Sequence, residues 1–339
     1  MNPNKIIDFS TFHNPSTSIQ SKIKLSNQIN HQLNNFGYLY LTEIPIQNQT
    51  IQDAFQWSQK FFNLPLEIKQ KVSHPIDGSI NRGYSAIGIE KVVQNDLKNP
   101  ISIKSNRSKP DDQRETFDLG KFNFQSNPSL QNLWLPDPIE KDYHLNGMQD
   151  FFKKFYQECY EFEHQLLEAI SISLLGIEHQ DYLSNFHIQA DNQIRLSHYP
   201  SIIKNDHNLS INRFSPHTDF STFTILFQDQ QSGLEIEDQF KPNQFNPIPS
   251  IPNTVILHVG DLLMRWTNDH FKSPLHRVSL PLSETNLIPE RYLISFFCGP
   301  DRGTLIDCLE TCFHPTHDPK KYGPITAEAY IDMRLKLSY

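Results

Sequence analysis

No stretch of this chain stays apolar for the ~20 residues that a membrane helix needs, and its opening, MNPNKIIDFSTF, lacks the apolar core of a secretory leader. The closing LKLSY matches no lipidation or peroxisomal signal. Cysteine is scarce, four in 339 residues, and forms no paired framework. These absences lead to the expectation of a protein of the reducing cytoplasm. An excess of basic charge is also missing: the net charge is −8, which offers nucleic acid or an anionic membrane no general attraction. The locally basic segment KNPISIKSNRSKPDDQR (98–114) reads as a solvated loop on its Pro, Ser and Asn content. No internal repeat and no long homopolymer tract is present, so nothing marks a disordered domain. What remains is an expected monomer that acts on a small molecule.

Aromatic side chains, by contrast, are plentiful. With 24 Phe and 12 Tyr the chain can bury a large core. The first third or so reads as helical. Ser18 is a candidate cap for a helix carrying Ile19, Ile23, Ile29 and Leu33, and Thr50 for one carrying Ile51, Phe55 and Phe62. FGYLYLTEI between them reads as a strand. Apolar residues recur at helical spacing from Met148 to Leu174 and stop at Gly176, which predicts a long helix backing a sheet. After residue 190 the texture changes to short β-like runs: QIRLSHY, FSTFTILFQ, GLEIED, NTVILHVGDLLMRW, SPLHRVSLPL and RYLISFFC. Many short strands at this spacing predict a sandwich or barrel such as a jelly roll. The tail PITAEAYIDMRLKL returns to helix, with Thr326 as its cap. The expected organisation is a supporting region over 1–189, a β core over 190–300, and a C-terminal loop and helix over 301–339, all in one structural unit.

The stretch SPHTDFSTFTILFQD (215–229) carries the chemistry. Read as one strand, it puts His217 and Asp219 two positions apart and therefore on the same side. A same-side imidazole and carboxylate need a third partner to hold a metal, and His276 in SPLHRVSL is the best candidate. Two imidazoles and one carboxylate leave about three positions open on an octahedral ion, the arrangement that suits Fe(II) binding a co-substrate and O2 together. A lone H-x-D pair is weak evidence, because such pairs also occur as ordinary surface polar groups, and a strand histidine is often simply hydrogen-bonded.

Context makes the signal specific. FGYLYLTEI, NRGYSAIG, RETFDLG, RLSHYP, HTDFSTFTILFQD, GLEIED, VGDLLMRWTND, SPLHRV and RYLISFF together resemble, in order and over nearly the whole chain, the Fe(II)- and 2-oxoglutarate-dependent oxygenases of the isopenicillin N synthase-like group. The resemblance implies a mainly β fold, a distorted double-stranded β-helix (jelly roll) with flanking helices and a helical N-terminal region. It implies His217, Asp219 and His276 as iron ligands. It also implies 2-oxoglutarate, with Arg291 and the hydroxyl of Tyr199 on its distal carboxylate, a role that suits a guanidinium fork. O2 would be the oxidant, ascorbate the reductant, and a hydroxylated or desaturated small molecule the product, with succinate and CO2 released. Tyr84, Phe117 and Phe297 would line the substrate pocket; core packing is the competing account of these aromatics.

Three positions depart from the pattern of that group. Leu293 replaces the usual hydroxyl two residues after the arginine, Ser197 replaces an asparagine, and His258 stands where asparagine is common. The first keeps open an iron oxidase that uses no 2-oxoglutarate; a non-catalytic binding protein on the same scaffold is the further alternative, against which the complete triad argues. His258 as a fourth ligand would block oxygen chemistry. The loop CLETCFHPTH, with Cys308, Cys312, His314 and His317, has spacings that fit zinc poorly and is expected to hold no metal.

Overall fold

The computed structural model describes residues 6–75, 81–90, 112–122, 130–189, 191–203, 213–280 and 286–336. Most of the basic 98–114 segment lies outside them. Strands β1 (Ile6–Asp8), β2 (Tyr38–Thr42), β3 (Gly83–Ser85), β4 (Glu115–Gly120) and β5 (Gln193–Tyr199) precede the short β6 (Ile202–Ile203). There follow β7 (Phe214–His217), β8 (Phe223–Gln228), β9 (Leu234–Glu237), β10 (Phe245–Pro247) and β11 (Val255–Val259). The last are β12 (His276–Val278), β13 (Leu287–Ile288), β14 (Arg291–Cys298), β15 (Leu305–Ile306) and β16 (Ile325–Thr326).

Eight strands form one large sheet in the order β1-β2-β11-β8-β14-β5-β4-β3, and four form a smaller sheet in the order β10-β9-β12-β7. Two layers of sheet with crossed connectivity make the jelly roll that the strand spacing predicts. The alternation of side chains sorts the core in two. Leu39, Phe117, Leu119, Ile194, Leu196, Phe223, Ile225, Phe227, Ile294 and Phe296 point outward, and pack under the helices. Tyr38, Tyr40, Tyr199, Leu226, Ile256 and Leu293 point inward and meet Phe214, Leu234, Ile236 and Val278 of the small sheet.

Helices Ile19–Phe36, Asn48–Phe62 and Met148–Leu175 cover the outer face. Ser18 caps the first by accepting the Ser21 N–H, and Gly37 (φ +73°) ends it. A Cβ at Gly37 would meet the Lys272 carbonyl at 2.5 Å, so both the turn and the packing require glycine there. Thr326 caps the C-terminal helix Ala327–Leu335 through the Ala329 N–H. The second helix starts at Asn48, ahead of the expected Thr50. NTVILHVGDLLMRW is not one β-run either: β11 ends at Val259 and a helix, Asp261–Trp266, begins after Gly260.

The largest correction concerns the stretch 215–229. It is two strands, not one. β7 ends at His217 in the small sheet and β8 starts at Phe223 in the large one. The crossing between them is held by Asp261 N–H to Asp219 O (2.8 Å), Leu262 N–H to Ser221 O (3.1 Å) and Thr222 N–H to Cys298 O (2.9 Å). Gly260 lies against this crossing, where a Cβ would sit 2.1 Å from Ser221 O. Strand parity therefore breaks between Asp219 and Phe223. Phe223, Ile225 and Phe227 face the helices, while Thr224 and Leu226 face the interior.

Candidate metal centre and its cavity

Different parts of the small sheet and the crossing bring three ligating side chains together. His276 of β12 pairs directly with His217 of β7, and Asp219 on the crossing turns back toward both. Their ligating atoms lie within 4.8 Å of one another, and all three residues are buried. Asp219 Oδ1 is 3.7 Å from Nε2 of each histidine, too far for a hydrogen bond. Nδ1 of His217 lies 3.0 Å from Ser215 O, and Nδ1 of His276 lies 3.0 Å from Pro274 O. Each carbonyl accepts a hydrogen bond from Nδ1–H, which leaves an Nε2 lone pair facing the carboxylate. Burial, with His276 and Arg114 nearby, holds the His217 pKa well below the ordinary value, which favours the neutral imidazole a metal requires.

The other carboxylate oxygen is also held. Asp219 Oδ2 accepts the Thr224 hydroxyl and lies 3.4 Å from Nε2 of His258 on β11, directly across from Thr224. His258 therefore backs the carboxylate, and its pKa is pushed down to about 4 by burial.

These residues line a cavity of about 180 Å3 between the sheets. One end is apolar, with Leu226, Leu234, Val278 and Leu293, and includes Tyr199. Arg291, fully buried, stands directly across from Tyr199 on the neighbouring strand, its guanidinium carbon 5.3 Å from the phenol ring. Arg291 Nη2 donates to Gln228 Oε1 at 2.9 Å and Nε to Gln231 O at 3.3 Å. Its Nη1, the Tyr199 hydroxyl and the Ser197 hydroxyl have no partner among the described residues. Three unmet polar groups on neighbouring inward positions call for a ligand rich in acceptors. Leu293 adds no donor; it packs in the inward apolar cluster.

The other end is lined by charged and aromatic groups: Arg82, Glu90, Arg114, Arg195, Arg302, Phe220 and Phe297 among them. Of the aromatics expected in the pocket, Phe297 is on its wall, with the Arg195 guanidinium 5.8 Å from its ring. Tyr84 and Phe117 are not. Phe117 is stacked on Phe61 at 4.2 Å, and the Tyr84 hydroxyl donates to Glu115 at 2.6 Å, both on the helix side of the large sheet. Parity is the reason. Arg195 and Ser197 of RLSHYP point inward, so their cross-strand partners Asp118 and Thr116 do too, whereas Phe117 between them points out. Arg82, Glu90, Arg114 and Arg195 are among the cavity residues that the sequence did not point to. Arg195 had a signal, since it shares strand parity with Tyr199.

Among the described residues, His217, Asp219 and His276 are the set of three that could hold a metal; Cys308, Cys312, His314 and His317 form no such group. No helix among them is long and apolar enough to cross a membrane.

The fold and site define a class: jelly-roll proteins with two imidazoles and a carboxylate converging on one face of a small-molecule cavity. Known proteins make the class specific. A family profile for the 2OG-Fe(II) oxygenase superfamily matches residues 190–300, and one for the N-terminal region of non-haem dioxygenases in morphine synthesis matches 5–137. The chain is 35% identical over 309 residues to a proline hydroxylase, BuaE, of Petromyces alliaceus, covering 91% of each chain. It is 33% identical to the 2-oxoglutarate-dependent dioxygenase HtyE of Aspergillus rugulosus over 98% of each. A full-length Neurospora crassa protein, crystallised in complex with α-ketoglutarate and thymine, superposes with a TM-score of 0.84 at 33% identity, over 98% of this chain and 96% of that one. The chain belongs to the 2-oxoglutarate–Fe(II) oxygenase superfamily. It is a 2-oxoglutarate-dependent dioxygenase, with Fe(II) and 2-oxoglutarate as its cofactors.

Proposed function

We propose that His217, Asp219 and His276 hold the Fe(II), that Arg291 and Tyr199 hold the distal carboxylate of 2-oxoglutarate, and that the enzyme hydroxylates a small organic molecule. The observation that carries the reading is the pinned geometry of the triad: two Nε2 atoms at equal distance from one carboxylate oxygen, each ring fixed by a backbone carbonyl. The donor set fits a divalent iron, with two neutral nitrogens and one anionic oxygen on one side and the cavity on the other. The unmet Nη1 of Arg291 and hydroxyl of Tyr199 fit a buried carboxylate.

Bound iron supplies the oxygen chemistry, with 2-oxoglutarate converted to succinate and CO2. The protein's part is to position and to exclude water. Thr224 donates to Asp219 Oδ2, with His258 Nε2 3.4 Å from the same oxygen, while Oδ1 faces the two histidines. Leu226, Leu234, Val278 and Leu293 keep the co-substrate end dry, which strengthens the charge interaction with Arg291. Phe220 and Phe297 line the opposite end, where the substrate is received.

The names of the relatives, a proline hydroxylase and a protein crystallised with thymine, support a compact polar substrate. The net charge of −8 and the free cysteines support a cytoplasmic enzyme that acts without nucleic acid or an anionic membrane. The test is O2 consumption and succinate release with Fe(II), ascorbate and 2-oxoglutarate. Succinate formation that depends on both iron and 2-oxoglutarate is expected, and its absence from iron-loaded protein would refute the reading.

A further inference from the structure

The arginines around the cavity fall into two groups. Those at the substrate end are bonded to carboxylates: Arg82 to Asp191, Arg114 to Glu90, Arg195 to Asp118 and Glu90, and Arg302 to Asp191. Arg213 and Arg291, at the co-substrate end, are not. They are 1% and 0% exposed, and among the described residues their hydrogen bonds go to neutral oxygens alone. Arg213 stands immediately before β7, and its Nη2 donates to Pro200 O at 3.0 Å and to Pro289 O at 2.6 Å. Pro200 follows Tyr199, and Pro289 lies two positions before Arg291. One guanidinium therefore bridges the ends of the two strands that carry the co-substrate groups, while its Nε has no partner. Burial and the neighbouring charge of Arg291 push the Arg213 pKa down to about 10. Asp229 acts on both arginines, but its two oxygens are taken by the N–H groups of Gln231 (2.9 Å) and Tyr292 (2.6 Å).

We propose that Arg213 is a positioning residue for 2-oxoglutarate: it locks the strand ends that bear Tyr199 and Arg291, and its charge, added to that of Arg291, makes this end of the cavity select a co-substrate with a distal carboxylate. The inference rests on the oxygenase reading and deepens its co-substrate assignment. Two like charges buried side by side are costly without counter-charge. Asp229 offsets one of them, and the distal carboxylate on Arg291 offsets the other. In a dry site that attraction extends beyond contact distance, so Arg213 acts without touching the ligand. Its two carbonyl bonds keep Tyr199 and Arg291 at a fixed spacing before the ligand enters.

The experiment titrates anaerobic Fe(II) protein with 2-oxoglutarate and with 2-oxopentanoate, following the metal-to-ligand charge-transfer band. The second acid keeps the chelating 2-oxo acid group and lacks the distal carboxylate. Arg213→Gln is expected to weaken 2-oxoglutarate binding by about 10-fold and to leave 2-oxopentanoate within about twofold of the wild type. Arg213→Lys, which keeps the charge and can donate to both prolyl carbonyls, should recover most of the preference for 2-oxoglutarate. Thermal melts report whether each variant is folded. The assignment is overturned if Arg213→Gln keeps the wild-type preference, or if both acids weaken equally, because Arg213 would then serve the fold alone. It is also overturned if folded Arg213→Lys loses the preference. Should Arg213→Gln not fold, Arg213→Lys decides by that same criterion. Failure of the band to form with 2-oxoglutarate in the wild type would refute the cofactor-site assignment instead.

Discussion

His217 and His276 are cross-strand partners in the small sheet, with ring centres 4.1 Å apart, and Asp219 places one carboxylate oxygen equally far from both. The backbone carbonyl of Asp219, which accepts from Asp261 N–H, is independent of its side chain. Asp219→Ala should therefore fold and yet lose iron binding by 100-fold or more, together with turnover. Metal analysis after dialysis and a thermal melt measure the two effects. The same preparation should retain no equivalent of zinc, since the loop of Cys308, Cys312, His314 and His317 is expected to hold none.

Leu293 withholds a hydroxyl from the co-substrate end. A hydrogen bond to a charged group contributes about 1.5–3 kcal/mol, which is roughly 10–150-fold in affinity. Leu293→Ser should tighten 2-oxoglutarate binding within that range, while Arg291→Ala nearly abolishes it. Titration of the anaerobic Fe(II) protein reads both. Unchanged or weaker binding in Leu293→Ser would mean that the pocket is built around leucine, whose packing against Tyr199 and Leu226 then matters more than the missing donor.

His258 Nε2 lies 3.4 Å from the far oxygen of Asp219, the oxygen to which Thr224 donates. Groups that orient a metal ligand in this way typically contribute about 10–100-fold in metal affinity. Iron release from His258→Leu, followed with a chelator, should be at least ~10-fold faster than from the wild type. His258→Asn, which restores a donor, should recover most of the loss. Equal release rates in all three proteins would show that Thr224 suffices.

Glu163 on the long helix and His187 are both wholly buried, with His187 Nδ1 2.7 Å from Glu163 Oε1. Burial raises Glu163 well above its ordinary 4.5, and lowers His187 to about 3. Folded, the pair keeps one proton over a wide range. Unfolded, it binds two below pH 4.5, one from 4.5 to 6.5, and none above 6.5. Stability rises with pH where the unfolded chain binds more protons and falls where it binds fewer. The His187 contribution is thus lost as pH falls from 6.5 toward 3, and the Glu163 contribution as pH rises toward its raised folded value. The alkaline arm should lower stability by up to ~1.4 kcal/mol per pH unit above neutrality. Thermal melts from pH 6 to 9 should show that decline in the wild type and a flatter profile in Glu163→Gln.

Much of this was legible in the residues. The caps at Ser18 and Thr326, the long helix ending at Gly176 and the run of short strands all reflect local chemistry, and a series of motifs in order carried the family. The errors arose where tertiary contacts override a local pattern. Alternation through residues 215–229 looks continuous, but the chain changes sheets between His217 and Phe223, and the hydrogen bonds that permit it come from Asp261, Leu262 and Cys298. Tyr84 and Phe117 were on the wrong side for the same reason: facing is set by pairing with β5, which no short stretch reveals. Arg114 and Glu90 meet across 24 positions in a cavity wall that has no local signature.

The C-terminal helix reaches back across the chain. Arg334 donates to Asp261, whose N–H holds the Asp219 carbonyl, and to Thr218, 116 positions earlier; its guanidinium lies 4.2 Å above Phe220. Ile331 and Leu335 of the same helix help to wall the cavity. The metal face and the substrate wall thus depend on one terminal helix, the first through Arg334 and Asp261, the second through Ile331 and Leu335. Cutting the chain before that helix would therefore free the carbonyl anchor of Asp219 and remove one wall of the cavity in a single change.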